Sequence, residues 1–95
     1  MLKINYINID FLIKSPVMSS EKEFEKLKRS IGTKVKELRL KAGYKSYEVF
    51  AWDNRISRIQ YWKMEKGTNC TLKSLQKVIS IHDLDMVDFF NSLNK

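Results

Sequence analysis

Four residues spaced i, i+1, i+4 and i+5 offer the most chemistry in this 95-residue chain: Arg58, Ile59, Trp62 and Lys63. On an α-helix that spacing gathers them on one side. The side carries a planar guanidinium, a mobile ammonium and two large apolar surfaces. Neither cation is a nucleophile or a general base at neutral pH. The set is equipped to grip a ligand through charge, hydrogen bonds and apolar contact, and a polyanion suits it first.

Bond-making groups are sparse. The one cysteine, Cys70, and the one histidine, His82, lie in different parts of the chain, and nothing in the spacing pairs them. One of each cannot build a structural zinc site, and one thiol cannot form an internal disulfide. Asp83, Asp85 and Asp88 cluster where a helix begins, so capping explains them better than a metal does. There is no glycine-rich phosphate loop, no paired-acid site and no Ser/His/Asp arrangement. The expectation is a binding protein without catalytic residues, metal or cofactor.

Charge points the same way. The formal net charge is +7, and it is unevenly placed. Residues 21–67 hold 13 Lys or Arg against 7 Asp or Glu, whereas residues 71–95 are balanced at three of each. A basic field concentrates polyanions, nucleic acid first and an anionic membrane surface second. With 43% hydrophobic and 31% charged residues, the composition is that of one soluble globular domain, neither disordered nor membrane-embedded. A lone thiol and no signal-peptide core suggest a reducing, cytoplasmic setting.

Five helices are expected to position the basic side. Ser20 to Glu23 reads as a capping box. Phe24, Leu27, Ile31, Val35, Leu38 and Ala42 then recur at threes and fours, with Gly32 as a weak point and Gly43 as the stop. Ser46 caps a short helix from Tyr47 to Asn54, and Ser57 caps a third from Arg58 to about Lys66, closed by Gly67. Thr71 caps a fourth with Leu72, Leu75, Val78 and Ile79 on one face; Asp85 caps a fifth with Phe89, Phe90 and Leu93. Residues 2–13 alternate in strand fashion up to Pro16. Such a lone strand could pair across a dimer, pack as an arm, or be loose, and Met18 is a further candidate start. The division expected is 1–19 as an N-terminal extension or arm and 20–95 as the helical domain.

The stretch from Ser46 to Gly67 resembles the helix-turn-helix of the Cro/cI-type (XRE) family of transcriptional regulators. Ala51 stands at the family's small position, Ile56 at its branched turn residue, Ser57 at its cap and Glu65-Lys66-Gly67 at its closing Glu-x-Gly. Val35 to Arg39 with Gly43 is similar to the family's first helix; Thr71 to Leu75 and Asp88 to Phe90 are similar to its last two. The resemblance covers about residues 30–90. It implies an all-α, five-helix lambda-repressor-like DNA-binding domain with an N-terminal strand-like arm. It further implies that Arg58, Ile59, Gln60, Trp62 and Lys63 face bases in the major groove, Arg58 first, at a guanine edge. Ser46, Tyr47, Ser57 and Lys66 would meet phosphates at helix ends. Tyr61 and Met64 would be buried, and Glu65 would pair with Arg39. Arg55 occupies the family's turn glycine, so a left-handed residue is expected there at a cost of about 1 kcal/mol.

The function expected is sequence-specific binding of double-stranded DNA by a homodimeric repressor reading a pseudo-palindromic operator, with Phe89, Phe90 and Leu93 as the dimer surface. Two other readings use the same helices. One is an antitoxin that also holds a toxin or other regulatory protein. The other is a helical adaptor that binds protein and not DNA.

Overall fold

The computed structural model describes residues 16–93, with side chains from Ser20 onward. These residues form five helices and no strand: α1 (Pro16–Lys41), α2 (Tyr47–Asp53), α3 (Arg58–Glu65), α4 (Leu72–Ile81) and α5 (Met86–Ser92). The strand expected over residues 2–13 lies outside the described residues. None of the described helices is long and apolar enough to cross a membrane.

Local signals set most of the boundaries. The side chains of Ser46, Ser57, Thr71 and Asp85 accept hydrogen bonds from the amides of Val49, Gln60, Ser74 and Asp88. Each satisfies one of the free donors of a first turn. Gly43 and Gly67 end α1 and α3 at φ of 95° and 83°. The start of α1 differs from expectation. The helix already runs from Pro16, so Ser20 and Glu23 lie inside it instead of forming its cap, and the expected division at residue 19/20 falls within one helix. Proline has no amide hydrogen to lose in a first turn, and its fixed φ suits that position. Pro16 therefore opens the helix.

One core joins all five helices. It holds Ile31 and Val35 from α1, Phe50 and Ala51 from α2, Tyr61 and Met64 from α3, Leu75, Val78 and Ile79 from α4, and Phe89 from α5. Phe50 sits among rings, with centroids 5.1 Å from Tyr44, 4.9 Å from Tyr61 and 5.4 Å from His82. Leu72, expected on the inner face of α4, is exposed. It is the first residue after the Thr71 cap, before the helix meets the core.

Gly32 does not interrupt α1. A Cβ there would lie 2.6 Å from the carbonyl oxygen of Glu65 and 2.8 Å from that of Met64. Only glycine lets the backbone of α1 approach the end of α3 this closely, and that contact sets how α3 is held.

Candidate functional site

The site is built on α3, which is anchored from behind. Tyr61 and Met64 are buried. At its C-terminal end, Arg39 of α1 grips Glu65 with both arms: Nε donates to Oε2 at 2.7 Å and Nη2 to Oε1 at 3.2 Å. Arg39 Nη1 also donates to the carbonyl of Tyr44, at 2.8 Å. Both side chains are nearly dry, at 5% and 9% exposure. The Glu65 carboxylate holds the guanidinium pKa above its ordinary value, against the opposing effect of burial. Beside them, burial pushes the Tyr61 phenol far above its usual range, and the Glu65 carboxylate adds to that. Fork-to-fork geometry of this kind fixes both angle and distance. With Gly32 pressed against the same turn, α3 is clamped to α1.

The turn entering α3 fixes its other end. Asn54 Nδ2 donates to the carbonyl of Phe50 at 2.8 Å, and Ile56 N to that of Ala51 at 2.9 Å. Arg55 takes the left-handed conformation at φ 57°. Its carbonyl accepts a 3.0 Å bond from Lys77 Nζ of α4. A two-sided turn thus forms where a glycine would be less strained.

With α3 held in this way, Arg58, Ile59, Trp62 and Lys63 share its outer side, and all four are exposed. Ile59 is 60% exposed and Trp62 41%. Exposure of two such residues together goes against what the hydrophobic effect favours. Lys66 extends this side: its ammonium lies 5.7 Å from the Trp62 ring centroid. Gln60 is exposed but separate. It borders the cleft between α3 and α4, near Ser57, Lys73 and Lys77. Ser46 and Ser57 commit their hydroxyls to capping. Tyr47 is half-buried against the core.

Three features escaped the sequence. Arg58 is not free: its Nη1 lies 3.3 Å from Glu48 Oε2 of α2, an exposed pair that any anionic ligand must exchange. Arg55, Lys73 and Lys77 converge on the α3–α4 cleft. The spacing of Lys73 and Lys77, one helical turn apart, was the available signal for that convergence. On the other flank, Val49, Trp52 and Ile56 line an apolar groove, and Trp52 is 85% exposed.

The dimer surface expected on α5 needs correction at Phe89. Phe89 is fully buried, and Phe90 and Leu93 are half-buried against the core. α5 is a short helix that uses its aromatic side to close the domain, its two rings meeting edge to face at 5.5 Å. His82 and Cys70 make no reactive pair. The His82 ring stacks on Phe50, and burial lowers its pKa while the charge of Asp83 works the other way. Burial raises the Cys70 thiol, which keeps it protonated. No cluster of three metal-ligating side chains occurs among the described residues.

The chain matches no family model, no curated protein and no solved structure.

Proposed function

We propose that this chain is a lambda-repressor-like, XRE-type regulator that binds double-stranded DNA through the outer side of α3. The observation that carries the proposal is the exposed set Arg58, Ile59, Trp62 and Lys63 on a helix whose opposite side is clamped by Tyr61, Met64 and the Arg39–Glu65 pair. Fixed orientation and adaptable tips are what a groove-reading helix needs. Arg58 reads a guanine edge after releasing Glu48. Ile59 and Trp62 pack on thymine methyl groups or sugars. Lys63 takes a base or a phosphate. Gln60, on the cleft side, reaches the neighbouring backbone or base edge. Ser46, Tyr47 and Ser57 lie at helix N-termini, where amides can meet phosphates, and Lys66 at the far end of α3 offers its ammonium.

One α3 spans only a few base pairs. A homodimer doubles the site and makes it pseudo-palindromic, with half-sites about 34 Å apart. The setting is the cytoplasm, and the effect on transcription is repression. A second reading, an antitoxin that also holds a protein partner, draws on the apolar groove at Val49, Trp52 and Ile56, which meets the α3 surface at Arg58.

Duplex binding measured against salt separates the DNA-binding readings from the adaptor. For a DNA-binding protein, log affinity falls linearly with log salt. Arg58→Ala loses about 1–3 kcal/mol on a preferred site and relaxes preference at one base position. Lys63→Ala, if it meets a phosphate, lowers the salt slope by about 1. Binding indifferent to salt and to both substitutions would leave the adaptor.

A further inference from the structure

α1 is one helix with two environments. From Arg29 onward it is part of the domain: Gly67 packs against Arg29, and Gly32 meets the end of α3. The apolar residues that join the core begin at Ile31. Residues 16–28 run on for roughly 20 Å beyond that point. Phe24 and Leu27 continue the same stripe there, yet they are 44% and 40% exposed, and the core does not reach them. Lys28, held at 2.9 Å by Glu25, lies over the Phe24 ring with its ammonium 4.7 Å from the centroid.

Charge along this overhang is ordered. Acids come first, at Glu21, Glu23 and Glu25, with Lys22 among them; Lys26, Lys28 and Arg29 follow. Two copies laid parallel would put acid against acid. Laid antiparallel about an axis near Phe24 and Glu25, they put Glu23 beside Lys26 of the second copy on one flank. On the other flank, Glu21 faces Lys28 of the second copy, whose ammonium exchanges Glu25 for it. Phe24 then meets Phe24 across the axis, and Leu27 covers Ser20. Helical register places 23 and 26 on one side of the stripe and 21 and 28 on the other, as a two-fold axis requires. The antiparallel arrangement also opposes the two helix dipoles favourably.

We infer that the overhanging half of α1 is the docking surface for a second copy of this chain, packed antiparallel about a two-fold axis near Phe24. This replaces α5 as the dimer contact. It concerns the two-copy part of the proposed function and is independent of the DNA part, so it is tested without DNA. Two half-helices bury less than the roughly 1,200–2,000 Å² of a standard interface, so the dimer is weak and reversible.

Sedimentation equilibrium of the full chain at low salt, from micromolar to millimolar concentration, reads it directly. Wild type is expected to pass from monomer to dimer, and less readily as salt rises. Phe24→Glu is expected to remain monomeric with unchanged helicity and melting, because that side chain is not part of the core. Lys26→Glu is expected to weaken the dimer several-fold, and Glu23→Lys with Lys26→Glu to restore it. A wild type that stays monomeric throughout overturns the inference; that includes the case in which residues 1–15 cover the stripe from within. So does a dimer that survives Phe24→Glu, or a double exchange no tighter than Lys26→Glu alone.

Discussion

α3 and α4 border one cleft, are of similar length and are capped alike, yet they treat their apolar residues differently. α4 buries Leu75, Val78 and Ile79 and turns Lys73, Gln76 and Lys77 outward. Packing accounts for its interior, and the one large apolar side chain it leaves exposed, Leu72, stands alone at its first position. α3 buries Tyr61 and Met64 and keeps Ile59 and Trp62 in solvent between Arg58 and Lys63. Nothing in the fold needs the outer side of α3 to look like that. A helix whose buried side is secured by a dry ion pair, and whose outer side combines cations with apolar groups, carries a surface shaped by something other than stability.

The comparison can be broken or sharpened by substitution. The largest expected effect is on α4. Leu75→Ala should destabilise the domain by about 2–5 kcal/mol in denaturant unfolding. Ile59→Ala on α3 should change stability by less than about 0.5 kcal/mol while weakening duplex binding. Equal stability costs at the two positions would mean that the outer side of α3 is structural after all. Next is the clamp. Arg39→Ala leaves the nearly dry Glu65 carboxyl without its guanidinium partner and should cost about 3 kcal/mol. An unchanged melting temperature would show that α3 does not depend on this pair. The smallest effect is at the turn. Arg55→Gly should raise stability by about 1 kcal/mol by relieving the left-handed strain at φ 57°. A loss of stability there would place the value of Arg55 in its side chain.

What could be read in advance was local. Ser46, Ser57, Thr71 and Asp85 cap where they do because the hydrogen bond involved spans three residues, and three residues are visible in a sequence. The separation of Tyr61 and Met64 from Arg58, Ile59, Trp62 and Lys63 follows from helical period alone. The unreadable features depended on partners far along the chain. Gly32 looked like a weak point because the carbonyls it admits belong to residues 64 and 65. Phe24 and Leu27 looked like core because a stripe does not say where the rest of the domain stops. Phe89 looked like a surface residue because a terminal aromatic pair can close a core or open a dimer, and the pattern is the same for both. The Arg58–Glu48 pair crosses two helices whose angle no spacing gives.

The measurement that bears most directly on the central claim is selection from a randomised duplex pool at physiological salt, long enough to hold two half-sites, followed by sequencing. The account predicts enrichment of a two-fold-symmetric site, weakened and relaxed at one base position of each half-site when the pool is selected with Arg58→Ala. No enrichment, with only weak salt-sensitive retention of all sequences, would contradict sequence reading by α3.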